Sequence, residues 1–275
     1  MKVELWGTRG SVAVAGQDTV AYGGDTSCVQ VTGPAGEIII LDAGSGIRPV
    51  SGAVGAATRI DILLTHLHMD HIQGLGFFTP LFDPTVETHI WGPASTTQGL
   101  HERLGRYLSP PLFPVRLRDL PNTVIHDVNP GTFHVGSVTV TADFVSHPGT
   151  TLGYRLEAGS ASLGYLPDHE PALGSISFPD LPDWTSGNRI MVGVDLLIHD
   201  AQYTNAEYAD RVGWGHSTFA HALTLAGRAG VGTLVTFHHD PAHSDDFLDE
   251  IGRELAAEDH PFALTPGRVG QVFEL

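Results

Sequence analysis

Apolar positions in the first seventy residues come in short runs cut by glycine and proline: KVELWGT, CVQVTG, EIIILDAG and RIDILLT. Runs of β-formers bounded by turn residues predict strands. Residues 37–41 scarcely alternate, the pattern of a strand covered on both faces. A helix is predicted from near Asp70 to about Phe78, a strand over 88–92 (THIWG), and a helix over about 95–108. Four prolines enforce a loop across 109–121. The stretch HVGSVTVTADFVSH alternates with period two, and TLGYRLEA and ASLGYLPD continue the pattern, so strands follow one another. Proline-rich HEPALGSISFPDLPDWTSG reads as a long surface loop. VDLLIHDAQYT and TLVTFHHD are buried strands with polar ends. Between them Ser217 or Thr218 can cap a helix whose Phe219, Ala222, Leu223 and Ala226 share a face and which Gly230 stops. SDDFLDEIGRELAAE is a helix with Asp245 and Asp246 at its positive end, and GRVGQVFEL a last strand. With no repeat or linker, residues 1–275 are expected to form one α/β domain, two packed sheets with helices outside.

Composition narrows the class. Hydrophobic residues make up 41% and charged residues 16% of the 275, as in a compact globular chain. The formal net charge is −17, and Lys2 and thirteen arginines supply all the basic charge, with no basic run. Gripping a nucleic-acid backbone calls for a positive stripe, so a long nucleic acid is disfavoured as partner. A small anion needs only local neutralisation. The start, MKVELWGTRGSV, has no secretory h-region, and no stretch approaches the roughly 20 apolar residues that span a bilayer. The one cysteine, Cys28, excludes an internal disulfide and suits a reducing compartment, so a cytoplasmic location without a membrane partner is expected.

The densest chemistry lies in LLTHLHMDHIQG, where a buried strand ends. In an extended segment residues two apart point the same way, so His66 and His68 can aim at one point, with Asp70 and His71 on the following turn beside it. Nitrogen and oxygen donors of this kind suit zinc, manganese or iron. The spacing H-x-H-x-D-H offers more ligands than one open catalytic metal needs, which predicts two adjacent divalent ions.

THLHMDH resembles the signature of the metallo-β-lactamase-fold hydrolases, and further elements follow in the family's order: FVSHPG with His147, LGYLPDHE with Asp168, and LVTFHHD with His238. The resemblance covers essentially the whole chain and implies a four-layer αββα sandwich with the site at one edge. It implies that His66, His68 and His147 hold the first metal, that Asp70, His71 and His238 hold the second, and that Asp168 bridges. His239, beside His238, is the alternative last ligand. ILDAGSG also matches, with Asp42 as acceptor for the free N–H of a ligating imidazole. Zinc is the first expectation for both ions, with manganese or iron as alternatives.

Two further stretches, LLIHDAQYT and GWGHST, resemble paired motifs of the phosphodiesterase branch, which includes ribonuclease Z and small cyclic-phosphate phosphodiesterases. The resemblance makes His216 the proton donor and Asp200 its orienting acid, although the ribonuclease branch more usually has glutamate there. Asp70 and Asp168 would help set the attacking water. WGTRGSVAVAG and YGGDTSC resemble the branch too, and offer Arg9, Ser11 and Thr26 as phosphate contacts. Ribonuclease Z enzymes insert a tRNA-gripping arm between the third metal histidine and the bridging aspartate, whereas here twenty residues separate His147 from Asp168. The expected reaction is therefore hydrolysis of a small phosphodiester, a cyclic nucleotide or cyclic sugar phosphate, by a metal-activated water. The alternatives are an acyl hydrolase (lactonase, thioesterase or β-lactamase) on the same metals, a tRNA 3′-end endonuclease, and a non-enzymatic metal scaffold. Phe113, Phe178 and Trp184, in the two proline-rich loops, are candidates to cover the substrate. Relatives are commonly dimers, which leaves a homodimer open.

Overall fold

The computed structural model describes residues 1–175, 177–179 and 181–275. Fourteen strands form two seven-stranded sheets among the described residues. The first sheet has the order β14-β1-β2-β3-β4-β5-β6: Val272–Glu274, Lys2–Gly7, Cys28–Thr32, Ile38–Leu41, Arg59–Leu63, Glu87–Pro93 and Thr123–Val128. The second has the order β13-β12-β11-β10-β9-β8-β7: Ala263–Pro266, Thr233–Phe237, Leu196–Asp200, Ala161–Leu166, Leu152–Ala158, Val138–Phe144 and Gly131–Val135. β3 to β6 run parallel, as do β10 to β13, and the other neighbours pair antiparallel.

Strand periodicity explains how the layers pack. Ile39 and Leu41 of β3, Leu163 and Tyr165 of β10, Leu196 and Ile198 of β11, and Val235 and Phe237 of β12 meet in the core between the sheets. Their alternate neighbours face outward under helices: Ile40, Ile60 and Ile62 on one side, Leu166, Leu197 and Leu234 on the other. Both faces are thus buried, which is why these segments read as unbroken apolar runs. Over the first sheet lie α1 (Ile47–Ala53), α2 (Met69–Ile72) and α3 (Leu100–Tyr107). Over the second lie α4 (Asn188–Met191), α6 (Phe219–Ala229) and α7 (Asp245–Ala256), while α5 (Asn205–Tyr208) sets Tyr208 against His221 of α6. The αββα sandwich expected from the sequence is the fold observed. Among the described residues no helix is long and apolar enough to cross a membrane.

Several boundaries differ from expectation for tertiary reasons. The helix predicted from Asp70 to Phe78 ends at Ile72, because Gly74 N–H turns back to the Ala43 carbonyl at 2.9 Å. A Cβ on Gly74 would lie 2.1 Å from the Gly44 oxygen. α3 begins at Leu100 rather than near Ser95. Ser95 and Thr97 hydrogen-bond each other, which competes with helix, and the Leu100 N–H is capped by Asp127 Oδ1 from β6 at 2.9 Å. Neither β6 nor α1 carries a pattern that announced it. α6 follows the sequence closely: Thr218 caps it through His221 N–H, and Gly230 ends it at φ 65°. The loop predicted over residues 169–187 contains a 3₁₀ turn at Pro182–Trp184, and α4 begins directly after it; its residues 176 and 180 lie outside the described residues.

Candidate metal centre

Parallel strands end on the same edge of a sheet, so residues just beyond their carboxyl ends converge. His66 follows β4, Asp168 follows β10, Asp200 ends β11 and His238 follows β12, while His147 comes just after the antiparallel strand β8. Donor atoms of His66, His68, His147 and Asp168 form one set, those of Asp70, His71, Asp168 and His238 a second, each within 4.8 Å of one another. Asp168 belongs to both and turns a different oxygen to each. Its Oδ2 lies 3.7 Å from His66 Nε2 and 3.6 Å from His147 Nε2, and its Oδ1 lies 2.9 Å from His71 Nε2 and 3.2 Å from His238 Nε2.

Ring orientation is set from behind. His71 Nδ1–H donates to Asp42 Oδ2 at 2.9 Å, His147 Nδ1–H to the Gly215 carbonyl at 2.7 Å, and His238 Nδ1–H to Gln202 Oε1 at 2.9 Å. His66 Nδ1–H donates to Thr65 Oγ1 at 3.1 Å, the Thr65 hydroxyl being spent on Asp42. All four rings therefore present a bare Nε2 to the cluster, the tautomer a metal ligand needs. His68 presents Nδ1, 3.2 Å from His147 Nε2. Two nitrogens sharing a tetrahedral zinc stand about 3.3 Å apart.

The donor set fits cations. His66 Nε2, His71 Nε2 and Asp168 Oδ1 are buried with no hydrogen-bond partner, although His71 and Asp168 approach at 2.9 Å. Leaving such groups unpaired in a core is costly, and a cation between them removes the cost. The field is negative: burial pushes the His71 pKa down, but Asp168, Asp70 and Asp42 outweigh it and raise it well above the usual range, so positive charge is favoured at Nε2, where a bound cation would take a proton's place. Burial raises Asp70 and Asp168 in turn, and the facing histidines overcome it to hold both carboxyls below the usual range. Burial and neighbouring histidines lower His66, and burial lowers His68 and His147, which keeps these imidazoles neutral and ready to ligate. The backbone bears the strain expected at such a site: Asp42 at φ 58°, Ser11 at φ 60° and His238 at φ 61°.

Beside the second set, His216 Nδ1–H donates to Asp200 Oδ2 at 2.8 Å. Asp200 also accepts the His169 and Gln202 N–H groups, each at 3.0 Å. Its oxygens are occupied, so Asp200 and His216 form a hydrogen-bonded pair next to the candidate ligand His238 rather than completing a third ion site. Burial lowers the His216 pKa, but Asp200 prevails and carries it up to about 9.

The structure corrects two of the proposed phosphate contacts. Arg9 is fully buried; its Nε and Nη1 donate to the carbonyls of Gly23, Asp240 and His243, and its Nη2 faces Asp245 at 3.7 Å. Thr26 is buried too, its hydroxyl bonded to Ser45 N and Gln73 Nε2. Both hold the N-terminal loops together. Ser11 stands exposed at the rim, its N–H donating to Asp70 Oδ2 at 2.7 Å. His239 turns away from the cluster to the Gly267 carbonyl. Phe113 packs over Gly76, Phe178 is buried against His221, and Trp184 lines a separate cavity with Asp143 and Arg189, so none of the three covers the cluster. Leu112 of the first loop does reach the cavity that His66 and His68 line.

Two supporting residues had no sequence assignment. Gln202 orients His238 and reaches Ser11 and Asp240 through its amide nitrogen. Glu170 is fully buried and accepts Gly213 N–H, Gly215 N–H and the Tyr208 hydroxyl. Their signal lay in the strand-end motifs that contain them, but their partners are 36 to 191 residues away.

Residues 37–239 match the beta-lactamase superfamily domain family. The ribonuclease Z of Mycolicibacterium paratuberculosis is 30% identical over 237 residues, covering 75% of this chain and 77% of that one. Among solved structures, the metallo-beta-lactamase fold protein YhfI of Bacillus subtilis superposes with TM-score 0.72 at 20% identity over 99% of both chains. A diphosphatase from the PhnP family superposes with TM-score 0.69 at 18% identity over 100% of this chain and 97% of its own. The chain thus belongs to the beta-lactamase superfamily, in the branch that holds the ribonuclease Z enzymes.

Proposed function

We propose that this member of the branch, a metal-dependent hydrolase of phosphodiester bonds, acts on a small phosphodiester of the cyclic-nucleotide or cyclic sugar phosphate class. His66, His68, His147 and Asp168 would hold one divalent ion, and Asp70, His71, Asp168 and His238 the other, with zinc the first expectation for this nitrogen and oxygen set. When bound, such a pair withdraws charge from phosphoryl oxygens and lowers the pKa of an attacking water. Asp70 is anchored by Ser11 N–H, which fixes the carboxylate bordering the place of attack.

One observation carries the choice of phosphoryl chemistry: the 2.8 Å pairing of His216 with Asp200 against the donor cluster. An alkoxide leaving from phosphorus needs a proton, and Asp200 keeps His216 charged to give one. With Nδ1–H committed to Asp200, the transferable proton is on Nε2. A thioester or an activated ester, whose leaving group departs as a stable anion, has no such need.

Substrate size is supported by what lies between the metal residues. The segment from His147 to Asp168 is consumed by the β9 and β10 hairpin, leaving no gripping arm. The cavity next to His66 and His68 measures about 750 Å³, within the range of small-molecule sites. The net charge of −17 opposes a long polyanion. The test is a parallel assay of zinc- or manganese-loaded protein on bis(p-nitrophenyl) phosphate, a cyclic nucleotide, a lactone and a precursor tRNA. Turnover of the first two is expected. Lactone turnover alone, or tRNA cleavage far faster than either small ester, overturns the reading.

A further inference from the structure

We infer that His169 and His199 are positioning residues: a one-way hydrogen-bond chain through their rings fixes Asp200, and with it the proton donor His216, against the edge that carries His147. This rests on the phosphodiesterase reading and adds to it two fully buried histidines that belong to neither donor set.

The direction of each link is settled by the one before it. His199 Nδ1 lies 2.7 Å from the Asp200 carbonyl, which only accepts, so the ring proton is on Nδ1 and Nε2 is bare. His169 Nδ1–H therefore donates to His199 Nε2 at 2.9 Å, which leaves His169 Nε2 to accept the Ser186 hydroxyl at 3.1 Å. Ser186 Oγ in turn accepts the Ser146 N–H at 2.8 Å. Burial lowers the pKa of both rings, in keeping with one proton on each. The chain thus runs from the residue before His147 to the backbone of Asp200. The His169 backbone ties the same parts again. Its N–H reaches Asp200 Oδ2, the oxygen that takes His216, at 3.0 Å, and its carbonyl accepts the hydroxyl of Ser217, next to His216, at 2.6 Å.

All four ring nitrogens are partnered, which offsets the desolvation of two buried imidazoles. Apolar side chains would fill that space without incurring it. What the imidazoles add is direction, since a hydrogen bond weakens steeply when bent. A proton donor needs such direction, because a displacement of about 1 Å at a reacting group costs on the order of 100-fold in rate.

Two readouts on zinc-loaded protein test this. The first requires no turnover: ¹⁵N-histidine labelling with long-range ¹H–¹⁵N spectra. His169 and His199 are expected as neutral rings protonated at Nδ1. The His216 Nδ1–H signal should shift in Ser186→Ala, which cuts the chain at its loop end, and in His199→Phe. Protonation of either ring at Nε2, or a His216 signal unmoved in both variants, overturns the inference. The second readout is kinetic. In both variants kcat should fall about 10-fold or more for a cyclic nucleotide, whose leaving group is an alkoxide, and less than about 3-fold for bis(p-nitrophenyl) phosphate. KM and zinc content should stay. The double variant should lose no more than the larger single loss, because one chain is cut twice. His199→Gln, which offers His169 an acceptor in place of Nε2, should recover part of the rate. Equal losses on the two esters, zinc lost in step with rate, or no loss at all overturns the inference. If the wild type hydrolyses neither ester while the tautomers and the His216 shift hold, the chain stands and the proposed reaction falls.

Discussion

Glu170 and Gly215 are joined by a 2.7 Å hydrogen bond from the Gly215 N–H to the buried carboxylate, and the Gly215 carbonyl in turn receives the His147 Nδ1–H at 2.7 Å. One residue thus connects a buried acid to a candidate metal ligand, and the next residue is His216, the proposed proton donor. Gly215 sits at φ 96°, and a Cβ there would lie 2.2 Å from His147 Nδ1, so the close approach requires glycine.

Replacing Glu170 by glutamine tests this support. The amide must turn its NH₂ toward one of three donors, leaving a buried N–H or O–H unpaired at a cost of about 1–3 kcal/mol. Melting temperature should fall, and metal content and turnover should fall together, because His147 and His216 share the loosened loop. Elemental analysis alongside kinetics checks this, and unchanged metal content would detach Glu170 from His147.

Asp200→Asn should separate those two readouts. Metal content is expected to stay while turnover falls by about 100-fold or more for an alkyl leaving group, the scale of general acid catalysis. The loss should be far smaller for p-nitrophenolate, which leaves without a proton. The pH profile gives the sign. His216 donates only while protonated, so the rate declines as pH rises through its pKa, held up to about 9 by Asp200. Bound cations lower that limit, and removing the carboxylate lowers it further toward the ordinary histidine value. The alkaline limb must therefore move to lower pH; an unmoved limb removes His216 from the proton-donor role.

Asp42 accepts four hydrogen bonds, from His71 Nδ1–H, the Thr65 N–H and hydroxyl, and the Tyr165 hydroxyl. Asp42→Asn is expected to weaken the second ion about 10- to 100-fold by releasing the His71 ring. Competition with a chromophoric chelator measures it, and the ion held by His66, His68 and His147 should change much less.

Chelation should also destabilise the protein. The unpaired His66 Nε2, His71 Nε2 and Asp168 Oδ1 lose their partner, and binding linkage at 100-fold excess over Kd is about 2.7 kcal/mol per ion. Loss of one ion then lowers Tm by about 5–10 °C in a chain of this size. Calorimetry with and without chelator, followed by readdition of zinc or manganese, reads the effect.

How much of this was legible varies from residue to residue. β3, β4, β11 and β12 were readable because burial of both faces leaves an apolar signature within a few residues. The Thr218 cap and Gly230 stop of α6 were equally local. The start of α3 was not, since its cap is an aspartate on β6, and neither was the early end of α2, tied to the turn after β3.

The sequence by itself determined the donor chemistry on offer: the H-x-H-x-D-H spacing and the polar ends of buried strands are local patterns that specify the candidate ligand types, and the order of strands and helices pointed to two packed sheets with helices outside. Tertiary structure decided which polar residues face that chemistry. It sent Arg9 and Thr26 into backbone hydrogen bonds, turned His239 away, and brought Gln202 and Glu170 behind the ligands. The physical reason is that a side chain's direction beyond a strand end depends on partners tens or hundreds of residues away, whose hydrogen bonds exist only once the two sheets have packed.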